Sequence, residues 1–219
     1  MSNAVTKAVD IDEVLGREIA VLLSRAYTDQ RHLDSYTGAE RAQWTASVVA
    51  LEADDTAVMP TEWLARFPTM RNVWRPRNER LRSAHFIEGD AGKRLVGHVG
   101  LFEHEFRIGD SAPVRAAYVE DVGTLPSAGG KGVASGLMNR ASEYAAGQGF
   151  EVMGLSTGSP TFYERLGWIR WTGTATYVTR SGREIPTGGT MVLGLTETVR
   201  ALLARMQGTH LQHGLREGT

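Results

Sequence analysis

The stretch that most constrains the fold runs from Tyr118 to Met138. Tyr118-Val119-Glu120-Asp121-Val122-Gly123-Thr124-Leu125 reads as a buried strand with two acids inside it, stopped by Pro126. Ser127-Ala128-Gly129-Gly130-Lys131-Gly132 follows as a glycine-rich turn. Val133, Leu137, Met138, Ala141 and Ala145 then recur at helical spacing, with the helix expected to end near Gly147. A strand ending at a cluster of bare backbone N–H groups, with a helix N-terminus behind them, is suited to hold phosphate. Gly129, Gly130 and Gly132 permit positive φ and close backbone approach, and Lys131 adds a positive charge. Taken alone, such a turn is equally explained by a tight connection with no ligand. It lacks the Gly-Lys-Ser/Thr ending of a P-loop, and the strands around it are hairpin-linked, unlike those of a dinucleotide fold.

Those strands follow from a change of period. Ser83–Glu88, Leu95–Phe106 and Arg115–Leu125 alternate, with turn signals at Gly89-Asp90-Ala91-Gly92 and Gly109-Asp110, which predicts an antiparallel meander. Gly149–Leu155 is a short buried strand, so strand, helix and strand in succession imply a right-handed parallel crossover. Ser159-Pro160 starts a brief helix that stops at Gly167. Strands begin at Trp168 and Tyr177, Ser181-Gly182 turns a hairpin, Thr190–Leu195 is a last strand, and Thr196 caps a final helix to Met206. Before the meander come a short strand at Val5–Val9 and helices over 11–27 and 39–52. Segment 57–82 holds Trp63, Phe67, Trp74, three prolines and six arginines, and reads either as a packed excursion or as a lid. The expected organisation is one domain over 1–207. Within it, 28–82 is an atypical region covering the acceptor site, and 208–219 forms a loose tail.

With 42% hydrophobic residues in 219, the chain has enough apolar material for a single core. A formal net charge of −1 argues against nucleic acid or a membrane surface as partner. A nucleic-acid or protein-binding role for Arg66–Arg82 is a rival on that ground alone. The absence of cysteine excludes disulfides, thiol nucleophiles and Cys-zinc sites. No run is long enough to span a bilayer and Met1–Lys7 has no signal core, so the expected location is the cytoplasm. His98 and His104 share a strand, and His210 and His213 lie in the tail. Without cysteines or an acid cluster beside them, none is read as a metal ligand.

Glu120 and Asp121, adjacent in a regular strand, would face opposite sides. A carboxylate in an apolar strand is costly unless it is paired or useful, so Glu120 is either an arginine's partner, or a general base or anchor for a cationic substrate. The glycine turn just downstream favours the second. Tyr163, in Phe162-Tyr163-Glu164-Arg165-Leu166-Gly167-Trp168, is either a packed tyrosine or a phenol that protonates a leaving group.

At these residues the sequence resembles the GNAT superfamily of acetyl-CoA-dependent acetyltransferases. Gly129-Gly130-Lys131-Gly132-Val133-Ala134-Ser135 is similar to its pyrophosphate-binding motif, and Tyr163 through Gly167-Trp168 to its Tyr-x-x-x-Gly-Phe/Trp element. The resemblance covers residues 83–195 and implies an α+β (α/β sandwich) fold. Its mixed, mostly antiparallel sheet would be flanked by helices and splayed between the fourth and fifth strands. It also implies acetyl-CoA as cosubstrate, no metal, and a homodimer. Where the family usually carries Arg or Gln, this chain has Gly129. A nearer resemblance is to aminoglycoside 2′-N-acetyltransferases, carried by Tyr118-Val119-Glu120-Asp121-Val122, Leu155-Ser156-Thr157 and Tyr163 through Gly173. It implies antibiotic acetylation by direct transfer, with Glu120 as base through water, Tyr163 as acid, and Glu120, Asp121 and Ser156 at the substrate. Val122, Gly123 and Thr124 would pair with pantetheine and the 129–135 turn would bind pyrophosphate. Two departures bear on the acceptor. The family's acidic run is reduced to Glu184 within Arg183–Thr190, and the N-terminal third is unlike theirs. A non-aminoglycoside amine or peptide, or a CoA-binding module without catalysis, therefore stand as alternatives.

Overall fold

The computed structural model describes Ile19, Leu22, Leu23, Arg25, Ala26 and residues 83–89, 95–179 and 181–215. The expected strand at Val5–Val9, the helix over 39–52 and the segment 57–82 lie outside the described residues. Nine strands form one mixed sheet: β1 (Ser83–Gly89), β2 (Leu95–Ile108), β3 (Val114–Thr124), β4 (Val152–Ser156), β5 (Ile169–Arg170), β6 (Ala175–Val178), β7 (Glu184–Pro186), β8 (Thr190–Gly194) and β9 (Leu211–Leu215). Their order is β5-β8-β4-β3-β2-β9-β6-β7, with β1 also paired to β2. The pairs β2–β9, β4–β8, β5–β8 and β6–β7 are antiparallel, and β3–β4 and β6–β9 are parallel. The helices described along their whole length are α1 (Val133–Gly147), α2 (Pro160–Glu164) and α3 (Glu197–Arg205).

The local reasons are legible. Thr196 caps α3, its side chain accepting a hydrogen bond from the Val199 N–H at 3.2 Å. Pro160 sits at the start of α2, but Ser159 does not cap it through its side chain; the Ser159 N–H is instead taken by Thr157 Oγ1 at 2.9 Å. Gly182, with φ of 76°, makes the β6–β7 hairpin turn. Ile19, Leu22, Leu23 and Ala26 are helical and buried, the spacing of one helix face.

Contacts divide the chain into two compact units. The first includes the N-terminal helical residues, His85–Val99 and Asp121–Leu137. In it Gly97 lets α1 approach β2, since a Cβ there would lie 2.5 Å from Val133 and 2.8 Å from Leu137. Gly123 likewise admits Leu22 and Leu23. The second unit includes Gly100–Glu120 and the residues from Met138 onward. Its core gathers Phe106, Tyr118, Val152, Val192, Leu203 and Leu211. The Phe106 ring occupies the space that a side chain at Gly154 would need. Arg115 ties the start of β3 into this unit, donating from Nε to Glu103 at 2.8 Å and lying 4.1 Å over the Phe150 ring.

Two features position the site. First, β3 and β4 pair in parallel at Ala116–Val152, Ala117–Met153 and Tyr118–Gly154, and beyond that register β3 runs on to Thr124. The pairing thus covers only the first part of β3, the resemblance having implied a splay of the sheet in this region. Second, the segment expected as a loose tail carries β9, inserted between β2 and β6. Leu211 and His213 alternate inward, and the strand satisfies its backbone on both sides, pairing Ile108 with Leu211 and Ala175 with Leu211. The expectation failed because the inward position between the leucines is filled by a histidine. Leu211→Ala should lower unfolding free energy by about 2–5 kcal/mol, read by urea titration, a cost that a frayed tail would not show.

Candidate active site

In the first unit the glycine turn follows β3 directly. Residues 126–128 form a 3-10 turn in which the Ala128 N–H donates to Leu125 O at 2.8 Å and the Gly129 N–H to Pro126 O at 3.0 Å. Gly129 does not use a glycine-only conformation, with φ of −57°. Gly130 and Gly132 do, with φ of 71° and 79°. A Cβ at either would meet nothing within 4 Å among the described residues, so these residues leave the turn open. The first bond across the start of α1 runs from Gly136 N–H to Gly132 O at 2.9 Å. The N–H groups of Val133, Ala134 and Ser135 precede it and have no acceptor within the helix. Lys131 folds back, its Nζ donating to Ser127 O at 2.9 Å.

At the adjoining end of β3, Val122 and Thr124 are half-buried, and Thr124 Oγ1 is a buried hydroxyl with no partner among the described residues. An open turn of N–H groups beside an unmet hydroxyl fits a ligand with amide and pyrophosphate groups, which is the chemistry of acetyl-CoA.

Asp121 departs from the expected geometry. Its φ is 56°, so regular alternation is broken there and the rule that placed Glu120 and Asp121 on opposite faces does not carry through. A non-glycine residue held in that region costs about 1–3 kcal/mol, so surrounding structure must impose it. The Asp121 carbonyl accepts a hydrogen bond from His98 Nδ1 at 2.8 Å. His98 is fully buried, and burial pushes its pKa down to about 4 against the opposing effect of that bond. The ring is therefore neutral with its proton on Nδ1, because a carbonyl can only accept.

In the second unit, the Tyr118 hydroxyl and Ser156 Oγ are 3.0 Å apart, with Ser156 exposed at the end of β4. Burial, and to a lesser degree the negative charge of Glu120, raise the Tyr118 pKa to about 12. The structure thus brings Ser156, expected at the substrate, to a tyrosine whose phenol also feels the charge of Glu120. That tyrosine stacks on two histidines. Its centroid lies 4.7 Å from His104 and 4.5 Å from His213, with interplanar angles of 10° and 9°. The histidine centroids are 5.6 Å apart and their Nδ1 atoms 3.4 Å apart. These distances describe a tyrosine ring lying over an edge-to-edge histidine pair. Burial, together with the neighbouring His213, lowers the His104 pKa to about 3, and burial lowers that of His213 to about 4.

Tyr163 belongs to another cluster, in α2. Its ring meets Phe162 edge-on at 4.9 Å and Trp168 at 5.9 Å. Burial raises its phenol to about 12, so it stays protonated throughout the neutral range. Glu184 is engaged in the sheet, accepting from Thr176 Oγ1 at 2.9 Å and from Gln212 Nε2 at 2.8 Å.

Sequence reasoning gave Tyr118, His98, His104 and His213 no part in the site. Tyr118 was within reach of it, because residues two apart in the regular part of β3 share a face, which sets it beside Glu120. The histidines carried no such signal: buried as neutral aromatic rings, they look in sequence like metal ligands or surface residues.

Residues 18–170 match a family model described as an acetyltransferase (GNAT) domain, well over half of the chain. The chain belongs to the GNAT acetyltransferase family. Among solved structures, the GNAT family N-acetyltransferase YhbS of Escherichia coli, in complex with CoA, is similar at 14% identity over 99% of this chain and 92% of that one, with a TM-score of 0.55. A GNAT acetyltransferase of Staphylococcus aureus Mu50 is similar at 9% identity over 88% of this chain and 100% of that one, with a TM-score of 0.50. Both likenesses are of the GNAT fold. A probable N-acyltransferase of Enterococcus faecalis V583 matches at 13% identity over 78% of this chain, with a TM-score of 0.48, and the chain spans 33% of that protein's length. No curated protein matches the chain. Among the described residues, no helix is long and apolar enough to cross a membrane.

The three buried histidines make stability depend on pH. Each has a folded pKa below its ordinary 6.5, so the unfolded chain binds more protons between 6.5 and the folded values. Their contribution is complete above 6.5 and is lost as pH falls toward 4 and then 3. Urea unfolding across that window should show the decline. In the part of the window where His104 is protonated only when unfolded, His104→Phe should reduce the slope by about 1.4 kcal/mol per pH unit, the value for one proton.

Proposed function

We propose that the chain is an acetyl-CoA-dependent N-acetyltransferase that moves the acetyl group directly to a primary amine of a small molecule. The observation that carries this reading is the turn at Gly130 and Gly132, open among the described residues, which leads into the N-terminus of α1, together with the Thr124 hydroxyl at the end of β3, which has no partner among the described residues. Within the GNAT family this is the element that would hold the pyrophosphate of acetyl-CoA, on residues 129–135. The edge at Val122, Gly123 and Thr124 would take the pantetheine as an added strand.

The Val122 N–H would polarise the thioester carbonyl. Glu120 would remove a proton from the acceptor ammonium, directly or through water, since amines are mostly protonated near neutral pH. The neutral nitrogen then forms the C–N bond as the C–S bond breaks. Tyr163 would supply the proton that the departing sulfur gains, and the second proton that the nitrogen sheds on becoming an amide would replace it on the phenol through solvent. Asp121 and Ser156 would face the acceptor, and the Tyr118 hydroxyl would orient Ser156.

A second reading differs only in the acceptor. The resemblance to aminoglycoside 2′-N-acetyltransferases points to an aminoglycoside. Glu184, the remaining acid of the stretch before the last strand of the resemblance, is held by Thr176 and Gln212. A carboxylate committed to the sheet is a poor anchor for a polycation. This favours a less charged amine or a peptide.

Acetyl-CoA at about a hundred times its Kd should raise Tm by roughly 5–10 °C, and an unchanged Tm at millimolar acetyl-CoA would remove the reading. Thiol release over a panel of aminoglycosides, polyamines, amino acids and peptides identifies the acceptor, while binding without release would indicate a module that has lost catalysis. Glu120→Gln and Tyr163→Phe should each lower kcat by about 100-fold or more without abolishing the thermal shift. Gly132→Val forces a branched residue to a φ of 79° and projects it into the open turn, so it should raise KM for acetyl-CoA by about tenfold or more while leaving kcat less affected.

A further inference from the structure

Three consecutive residues of β2 meet the elements that would grip acetyl-CoA. Val96 O accepts the Leu125 N–H at 2.9 Å, which fixes the end of β3. Gly97 receives Val133 and Leu137 of α1 so closely that any side chain there would displace them. His98 Nδ1 donates to the Asp121 carbonyl at 2.8 Å, inside the segment whose φ of 56° is unfavourable for aspartate. Of the three, only the His98 contact is made by a side chain, and the residue is wholly buried.

We propose that His98 is a positioning residue: by holding the Asp121 carbonyl it maintains the left-handed turn in β3 and so sets the direction of the next peptide N–H, that of Val122. The proposal rests on the acetyltransferase reading for what that N–H does, but the pinning itself is a property of this chain. The peptide joining Asp121 to Val122 contains both the carbonyl that His98 grips and the Val122 N–H, and it is planar. Fixing the one end therefore fixes the other. If the turn relaxed to a regular strand, the peptide plane would rotate and the N–H would leave its direction, although the fold would survive. His98 touches no substrate in this scheme and acts through the backbone alone.

The substitutions separate this role from packing. Asparagine carries a donor nitrogen one bond from Cγ, as histidine does with Nδ1, so His98→Asn retains the bond. His98→Leu fills the site without a donor. Asp121→Gly removes the penalty for positive φ and the need for a pin. The expected result is that His98→Leu lowers kcat by about tenfold or more with KM for acetyl-CoA changed by less than about threefold, and lowers Tm by roughly 2–10 °C, the cost of one lost buried hydrogen bond, with the protein still folded at the assay temperature. His98→Asn should recover most of kcat. In thermal or urea unfolding, the His98→Leu and Asp121→Gly changes should couple, the leucine substitution costing less in the glycine background.

A fall in kcat that merely follows the loss of folded protein, or a failure of asparagine to restore it, would overturn the positioning role. Additive effects of the two substitutions on stability would overturn the pin itself. The stability cycle is measured without ligand, so it stands whether or not the wild-type protein binds acetyl-CoA. Absence of binding and thiol release in the wild type would instead remove the acetyltransferase reading.

Discussion

A strand's backbone can satisfy only so many partners, and β3 pairs with β4 over only part of its length. It pairs with β4 through Tyr118, then passes through a left-handed residue at Asp121 and arrives at the glycine turn. The parallel pairing places Tyr118 near Ser156 at the end of β4, and among the described residues it does not extend to Val122–Thr124. Continued pairing with β4 would have used up that edge. The open glycine turn matters only because the strand that leads to it has been released from its neighbour.

The second unit is built on an unusual choice of core material. Where β2, β3 and β9 meet around Tyr118, the filling is a phenol over two imidazoles instead of aliphatic side chains. Each ring brings a polar atom that must be satisfied or left wanting, and His213 Nε2 has no partner among the described residues. The return is geometric. Near-parallel rings with centroids 4.5 and 4.7 Å apart have few alternative packings, so the Tyr118 hydroxyl is directed to Ser156 by a rigid support. Aliphatic residues of the same volume would bury as well but would leave the tyrosine freer to rotate.

These choices decide how much could be read in advance. The glycine turn, α1, α3 and the β6–β7 hairpin all obey local rules of capping, periodicity and positive φ, so Gly130, Gly132, Thr196 and Gly182 announce them. The relation of β3 to β4 was legible too, because a strand, helix and strand in succession leave little choice of pairing. What was hidden depends on partners distant in sequence. Nothing local to Leu211-Gln212-His213-Gly214-Leu215 says that a strand is there, since its inward residue is a histidine whose place is set by Tyr118 and His104. Asp121 is hidden for the complementary reason: a bulge is decided by what the neighbouring strand offers, and that offer comes from His98.

The placement of β9 bears on how the molecule is assembled. His104 and His213 stand 109 positions apart, so the β2–β9 pairing spans a far longer stretch of chain than the β3–β4, β4–β8 or β6–β9 pairings. Such non-local closure is slow, and until it occurs the facing edges of β2 and β6 expose unmet backbone groups. A nascent or refolding chain therefore passes through a period in which its sheet is split down the middle and able to recruit a foreign strand. Connectivity of this kind favours slow acquisition of structure, independently of how stable the finished protein is.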